Sequence, residues 1–197
     1  MHSLKKIVLI AALTLPASGL LTGCAAVVVG TAATSAVVAQ DRRSAGTIVE
    51  DKSIHIKTLY AIQQVIPDDP DSHVSAISYN NRVLLVGQVP TEELRTALEA
   101  EVRKIGKIRQ VHNEITLERP TSLKRRSTDS WITTKIKSEM AVTLDLNPTR
   151  VKVVTENGVV YLLGIVTPLE EEITVDISRH TKGVHKVVKI FEYDRNA

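Results

Sequence analysis

Apolar positions change their spacing in a fixed order along residues 47–194. A stretch with helical spacing comes first, and in the second half of the chain its apolar positions are Ile132, Ile136 and Met140. Two apolar strands follow, separated by Asn80-Asn81 in the first half and by Asn157-Gly158 in the second. Both dipeptides are typical of two-residue hairpin turns. A second helix and a last strand complete the pattern, which predicts the order α-β-β-α-β.

This pattern occurs twice, because the run from Val83 to Val89 reappears in similar form 77 positions later, at Val160 to Val166. A period of this length is too long for a solenoid repeat and suits two small domains. We therefore predict an α+β fold of two tandem modules, at residues 47–118 and 127–194, joined by a basic linker at 119–126. Each module is expected to be a three-stranded mixed sheet with two helices on one face.

Several residues have the chemistry of helix ends. Asp129 or Ser130 is the predicted N-cap of the first helix of the second module. The string Thr167-Pro168-Leu169-Glu170 predicts a capping box at the start of its second helix. Gly106 and Gly183 are predicted to end the second helix of each module in a left-handed conformation.

Residues 1–23 have the composition of a secretory signal. Two lysines precede an apolar run from Ile7 to Leu15, and small residues follow Pro16. The run is about nine residues long, whereas a helix that spans a bilayer needs about 20. A broken transmembrane segment over residues 7–39 is the alternative, although proline and glycine interrupt that stretch and it has no bulky leucine, isoleucine or phenylalanine after position 24.

Cys24 is the single cysteine of the chain, so it cannot form an internal disulfide. The string Leu21-Thr22-Gly23-Cys24 resembles the lipobox of bacterial lipoproteins. That resemblance implies a diacylglycerol thioether on Cys24, cleavage before it, acylation of the new amino group with a chain such as palmitate, and a lipidated tether at residues 24–46. Ala25, in place of aspartate, resembles the signal for sorting to the outer membrane. No cofactor besides this covalent lipid is expected, and a buried structural cysteine is the alternative.

Charge and composition exclude several classes of function. Removal of residues 1–23 takes two lysines and no acid from a net charge of +3, which leaves +1, and aromatic residues make up 3% of the chain. Neither value favours a nucleic-acid-binding surface. The sequence has none of the glycine patterns of hydrolases, P-loops or dinucleotide sites, and its histidines do not have the spacing of a zinc site. We therefore expect no enzyme activity, no metal site and no nucleic-acid partner.

Trp131 is the single tryptophan of the chain. It is adjacent to the apolar position Ile132, so it is expected at the edge of the core or outside it. Thr134 and Lys135 follow close to the same side of the helix. The cations upstream of it are Lys124, Arg125 and Arg126. An exposed indole beside cations is what an anionic headgroup layer favours; a core tryptophan next to a solvated basic linker is the alternative.

The α-β-β-α-β order, with a glycine inside the second strand and another after the second helix, resembles the BON domain. The residues that carry the resemblance are 83–89 with Gly87, 160–166 with Gly164, and the caps Gly106 and Gly183. With the lipobox and the stretch 41–47, the chain resembles the dual-BON-domain outer-membrane lipoproteins. This resemblance implies a periplasmic protein that binds anionic phospholipid and supports outer-membrane integrity. Gly87 and Gly164 are expected to mark a bulge or a helix packed close to the sheet.

The resemblance assigns lipid contact to the helix that begins the second module, where residues 129–135 match best. The first module has Ser53 at the place of Trp131, so lipid binding is not carried over to it. We expect a lipoprotein on the periplasmic face of the outer membrane whose lipid-contact residues are Trp131, Thr134, Lys135, Lys124, Arg125 and Arg126. The alternative is an adaptor that docks on outer-membrane assembly, cell-wall or cell-division proteins without direct lipid recognition.

Overall fold

The computed structural model describes residues 41–194. The predicted signal peptide at 1–23, the predicted lipidation site Cys24 and the tether up to residue 40 lie outside the described residues. The elements of module 1 are α1 (Ala45–Val65), β1 (His73–Tyr79), β2 (Arg82–Val89), α2 (Glu92–Arg103) and β3 (Gln110–Leu117). Those of module 2 are α3 (Leu123–Val142), β4 (Val151–Glu156), β5 (Val159–Val166), α4 (Pro168–His180) and β6 (Lys186–Tyr193). The predicted order of elements is confirmed in both modules.

Each module contains a three-stranded mixed sheet. In module 1 the central strand β2 is antiparallel to β1 and parallel to β3, and in module 2 β5 has the same relation to β4 and β6. The turn of the first hairpin has φ angles of 51° at Asn80 and 60° at Asn81. The turn of the second has 47° at Asn157 and 74° at Gly158. Positive φ at both central positions is the hairpin geometry that these dipeptides predicted.

The helices of each module cover one face of its own sheet. In module 1 the buried side chains of both helices and the sheet form a core that includes Ile54, Leu85 and Leu98. Module 2 has the equivalent core, which includes Ile132 and Leu162. Apolar area removed from water contributes about 25 cal/mol per Å², so each small module has its own source of stability.

The other faces of the two sheets pack against each other. Their shared core consists of Tyr79, Leu84, Val86, Tyr161, Leu163 and Ile190. The central strands β2 and β5 are therefore buried on both faces, which explains why they are continuous apolar runs rather than alternating ones. Residues 41–194 thus form four layers, helices–sheet–sheet–helices, in which α1 and α3 belong to opposite outer layers.

Ion pairs join the two modules beside this shared core. Glu192 of β6 pairs with Arg82 at 3.3 Å and with Arg109 at 3.1 Å. On the other side, Arg42 precedes α1 and pairs with Glu170 at the start of α4. Burial raises the pKa of Tyr79, at the edge of the shared core, to about 12. Both the apolar faces and these charges therefore fix one arrangement of the modules.

Helix α3 begins earlier than the sequence predicted. Its N-cap is Ser122, whose hydroxyl accepts a hydrogen bond from the Arg125 N–H at 3.2 Å. The prediction that Asp129 or Ser130 caps this helix is wrong. Residues 123–126, placed by the prediction in a linker, form the first turn of α3, and α1 also begins two residues before the predicted module boundary at 47.

Asp129 holds the β4–β5 turn instead of capping its own helix. Its buried carboxylate accepts both backbone N–H groups of that turn, each at 2.9 Å. Asp51 of α1 does the same in module 1, where it accepts the two N–H groups of the β1–β2 turn at 2.7 and 2.8 Å. We call Asp51 and Asp129 the turn aspartates. Each one ties the first helix of its module to the hairpin beneath it.

The other predicted helix ends agree in part. The capping box at Thr167 and Glu170 is confirmed, and Gly183 after α4 has a φ of 96°. After α2, however, the left-handed residue is Lys107, with a φ of 71°. The prediction for Gly106 is therefore wrong, because the connection between α2 and β3 reverses direction one residue later.

Gly87 and Gly164 lie where two strands approach closely. A Cβ on Gly87 would be 1.9 Å from the carbonyl oxygen of His73, and a Cβ on Gly164 would be 2.6 Å from that of Arg150. These oxygens belong to neighbouring backbone, and the strand pairing continues through both positions. The expectation of a bulge or of a helix packed close to the sheet is wrong. Gly87 also has a φ of 131°, a conformation that side chains with a Cβ rarely adopt.

Candidate functional site

One side of α3 is buried and the opposite side is exposed. Ile132, Ile136 and Met140 are completely buried in the core of module 2. Trp131 precedes Ile132 by one residue, about 100° around the helix, and is 52% exposed. The expectation that Trp131 lies at the edge of the core or outside it agrees with this exposure.

Lys135 lies one turn after Trp131 and contacts it. The Lys135 ammonium nitrogen is 5.5 Å from the centroid of the indole ring, within the range of a cation–π interaction. Thr134 is exposed, and its hydroxyl donates to the Ser130 carbonyl oxygen at 2.9 Å. The structure therefore brings an indole, an ammonium group and a threonine together on one surface, as predicted.

Further exposed residues extend this surface along the helix. Leu123 is 78% exposed and Val142 is 83% exposed, and their helical positions put both on the side of Trp131. We define the α3 outer face as Leu123, Lys124, Ser127, Trp131, Thr134, Lys135, Ser138 and Val142. These eight residues include three large apolar side chains and two cations, and the exposed Glu139 lies at the edge of the face, about 80° around the helix from Trp131. Leu123 and Val142 were missed because Leu123 lay in the predicted linker and an apolar residue in a sequence indicates burial rather than exposure.

The three basic residues before Trp131 do not lie on one common surface. Lys124 is exposed on the α3 outer face. The Arg125 Nε lies 3.6 Å from the turn aspartate Asp129, and the Arg126 Nε donates to the Thr121 carbonyl oxygen at 3.1 Å. The structure therefore adds Lys124 to the surface, but not Arg125 and Arg126.

Lys137 fixes the opposite end of α3 to the rest of module 2. Its Nζ donates to the carbonyl oxygens of Pro148 at 2.6 Å and Val151 at 2.8 Å. Burial, with a smaller effect from the charge of Lys152, lowers the pKa of Lys137. This lysine therefore supports the helix and is not part of the exposed surface.

The chemistry of this surface is that of contact rather than reaction. Within residues 41–194, no three His, Cys, Asp or Glu side chains are grouped so that they could hold a metal ion. None of the helices in that same part of the chain is long and apolar enough to cross a membrane. An indole with apolar and cationic neighbours on a convex helix suits a large, laterally extended partner.

Comparison with known proteins gives the family. The BON domain family matches residues 60–119 and 128–195, one match in each module. The chain is 39% identical over 182 residues to "Outer membrane lipoprotein DolP" of Haemophilus influenzae, covering 92% of this chain and 94% of that protein. It is 33% identical over 153 residues to "21 kDa hemolysin" of Actinobacillus pleuropneumoniae, covering 78% and 79%.

A solved structure of CdsD, a structural protein of the type III secretion system of Chlamydia trachomatis, matches with a TM-score of 0.30 and 11% identity over 70% of this chain and 93% of that chain. This likeness is too weak to carry an argument. The two BON matches and the DolP relative are strong enough to show the family. That family is not enzymatic. The chain belongs to the BON-domain family and, within it, to the dual-BON-domain outer membrane lipoproteins of the DolP type.

Proposed function

We propose that this lipoprotein binds anionic phospholipid through the α3 outer face and thereby supports the integrity of the outer membrane. Acylated Cys24 anchors the chain in the periplasmic leaflet, and module 2 makes the second contact with the same leaflet. The observation that supports this proposal most strongly is the exposed indole of Trp131 beside Lys135, on a helix face with two cations.

The free energy expected from the α3 outer face is sufficient for a reversible contact with the membrane. The exposed part of Trp131 offers roughly 100 Å² of apolar surface, worth about 2 kcal/mol on burial. Lys124 and Lys135 each add about 1 kcal/mol near an anionic surface. Burial of Leu123 and Val142 adds to the favourable free energy from apolar surface. Tryptophan also prefers the headgroup level of a bilayer.

The anchor makes even a weak contact effective. Cys24 and Asp41 are 17 residues apart in the sequence, a stretch that reaches at most about 60 Å when fully extended. A tether of this length keeps the α3 outer face near the leaflet at a local concentration on the order of millimolar. A contact of about 4 kcal/mol, which corresponds to a millimolar dissociation constant, is then about half occupied.

The emission of Trp131 tests the proposal, because the chain has one tryptophan. The full chain would be reconstituted in nanodiscs of phosphatidylcholine alone or of phosphatidylcholine mixed with phosphatidylglycerol. We expect a blue shift of the emission and protection from acrylamide only with phosphatidylglycerol. Emission that is the same in both nanodiscs would rule out contact between this face and anionic lipid.

A matched pair of variants assigns the effect to module 2. Lys135→Gln removes the cation beside Trp131, whereas Lys57→Gln removes the lysine at the corresponding position of module 1. Lys135→Gln should weaken the blue shift, and Lys57→Gln should leave it unchanged. An equal loss in both variants would indicate non-specific attraction by net charge.

An adaptor function is the second candidate, and one observation favours it. Val49, Ile56 and Tyr60 of α1 are 66–68% exposed on the outer layer opposite α3. That layer would be directed away from a membrane that contacts α3, toward proteins of the periplasm or of the outer-membrane assembly machinery. A photo-cross-linker at Tyr60 that captures an envelope protein, with the capture retained in Trp131→Ala, would support this candidate.

A further inference from the structure

A polar groove lies where the two modules meet, and it is distinct from the α3 outer face. Its volume is about 260 Å³. Its lining residues come from the segment before α1, from α1 and β1, and from β4 of module 2: Arg43, Ile48, Asp51, Lys52, His55, Ala76, Ile77, Ser78 and Lys152. We call it the seam groove.

The one acid in the lining of the seam groove already has partners within module 1 and the segment before it. The Asp51 carboxylate pairs with the Arg43 guanidinium at 2.8 Å. It also accepts the Ser78 hydroxyl at 3.0 Å and both N–H groups of the β1–β2 turn. Arg43 is in turn bound to Asp41 at 2.7 Å. The Asp51 carboxylate therefore accepts four hydrogen bonds, which is about its full capacity, and none of them comes from Lys52, His55 or Lys152.

The two lysines and the histidine of the groove have no such partners. Among residues 41–194, neither a hydrogen bond nor an ion pair engages the side chain of Lys52, His55 or Lys152. Apart from Asp51, the acid nearest to Lys52 in the sequence of α1 is Glu50, which pairs with Lys107 instead. Three donors from two modules thus line one concave surface without an ion-pair partner of their own, which is an arrangement that attracts an anion.

The corresponding place in module 2 shows that the fold does not need these cations. The repeat relates Lys52 to Ser130 and His55 to Thr133, with a serine of β1 at the place of Lys152. There the hydroxyls satisfy one another, because Thr133 Oγ1 lies 2.8 Å from Thr155 Oγ1. The turn aspartates are present in both modules. The cations of the seam groove are therefore an addition to the shared scaffold rather than part of it.

We propose that the seam groove is a binding site for a phosphate-type oxyanion, held by Lys52 and His55 of α1 and by Lys152 of β4. The two ammonium groups and the imidazole N–H donate to the oxyanion, and charge-assisted hydrogen bonds of this kind are among the stronger ones in proteins. Ile48, Ala76 and Ile77 give the groove an apolar wall, which suits a phosphate that carries an organic group. Because the donors come from both modules, the bound anion also links module 1 to module 2.

Two measurements on the full chain in a neutral detergent test this site. The first follows the imidazole signals of His55 by NMR, assigned with His55→Thr, during titration with sodium phosphate against sodium chloride at constant ionic strength. The second follows the unfolding temperature in the same series, since a ligand that binds the folded state raises it. We expect a saturable shift of the His55 signals and a rise in the unfolding temperature with phosphate.

The variants copy the residues at the repeat-related positions, which are Ser130 of module 2 for Lys52 and Ser75 of module 1 for Lys152. Lys52→Ser with Lys152→Ser should weaken phosphate binding about tenfold or more. The control removes the same charge from exposed lysines outside the groove, Lys57→Ser with Lys182→Ser, and should bind phosphate as the unchanged chain does. Equal binding by the groove variant and the unchanged chain, or a shift that never saturates, would overturn the proposal.

A second titration separates the sources of the phosphate. Dihexanoylphosphatidylglycerol, below its micelle concentration, presents the headgroup with an apolar body. If it shifts the His55 signals more strongly than inorganic phosphate and the groove variant abolishes this, the site takes a lipid headgroup. If inorganic phosphate binds equally well, the site takes free phosphate. Binding of the lipid that is lost in Trp131→Ala but kept in the groove variant would belong to the α3 outer face and would count against the seam groove.

Discussion

Module 1 and module 2 have the same fold, but their first helices have different surfaces. Both α1 and α3 bury one side, which begins with a turn aspartate and an isoleucine, Ile54 or Ile132, and the aspartate holds the hairpin beneath the helix. At the position where α3 exposes Trp131, α1 has Ser53; where α1 has Lys52, α3 has Ser130. The two helices therefore share the buried positions and the turn aspartate that the fold needs, whereas their outward positions form two different surfaces.

The turn aspartates give the largest expected effect on this comparison. Asp51→Ala and Asp129→Ala each leave two backbone N–H groups of a hairpin turn without their acceptor, and Asp51→Ala also leaves Arg43 without one of its partners. We expect losses in the free energy of unfolding of about 3–5 kcal/mol, larger for Asp51→Ala. Urea unfolding measures them. A loss under about 1 kcal/mol in either variant would show that the hairpin does not depend on this carboxylate.

The two strand glycines should differ, although they occupy the same place in the repeat. Gly87→Ala puts a Cβ 1.9 Å from a carbonyl oxygen at a φ of 131°, whereas at Gly164 the distance is 2.6 Å and φ is not in the left-handed region. We expect Gly87→Ala to cost about 2–4 kcal/mol and Gly164→Ala about 1–2 kcal/mol. Thermal unfolding of both variants checks the order, and equal losses would contradict it.

A fall in pH should weaken the ion pairs of Glu170 with Arg42 and Arg150. It should affect Glu93, which occupies the corresponding position in module 1, much less. Burial alone would raise the pKa of Glu170, but hydrogen bonds from Arg42, the Thr167 backbone and Arg150 outweigh it and lower this pKa. A lowered pKa means that the stabilisation is present above the usual glutamate value and is lost as the pH falls through the folded-state pKa. Glu93, the counterpart, is exposed and does not have an arginine partner among the described residues.

The corresponding variants separate these two carboxylates. Glu170→Gln should cost about 2 kcal/mol at neutral pH, and this difference from the unchanged chain should shrink toward zero as the pH falls below about 4. Glu93→Gln should have a much smaller effect at every pH. Guanidinium unfolding as a function of pH measures both, and a pH-independent cost of Glu170→Gln would contradict the role of its charge.

The smallest expected effect concerns membrane contact. Lys135→Gln removes one cation near the surface, so we expect the partition of the α3 outer face onto anionic nanodiscs to fall about fivefold, which corresponds to about 1 kcal/mol. Lys57→Gln on α1 should change partition by less than about twofold, within the scatter of surface substitutions. Titration of the Trp131 emission with lipid measures both values.

Much of the fold could be predicted because local residues determine it. The Asn-Asn and Asn-Gly turns and the capping box at Thr167 act within a few residues of their own positions, and the sequence identifies them directly. The start of α3 could not be predicted in this way. Asp129 has the chemistry of an N-cap, but its carboxylate serves a turn 28–29 residues away, and such a partner is visible only in three dimensions.

The candidate site was predicted in part for the same reason. Trp131 and Lys135 are one helical turn apart, so their proximity follows from the helix alone. Whether Arg125 and Arg126 join them depends on Asp129 and Thr121, which draw both arginines away from the exposed face. The sheet-to-sheet packing of the modules was not predicted, because the continuous apolar runs of β2 and β5 do not by themselves show which surface covers each face.

The most direct test of the central claim is the depth of Trp131 in a bilayer. The full chain would be placed in nanodiscs that contain phosphatidylglycerol and lipids brominated at successive depths of the acyl chain. The account predicts that bromines nearest the headgroups quench Trp131 most strongly, and that the quenching disappears when phosphatidylglycerol is replaced by phosphatidylcholine. Emission that no brominated lipid quenches, with iodide in the water quenching it equally in the presence and absence of phosphatidylglycerol, would contradict the claim that the α3 outer face contacts anionic phospholipid.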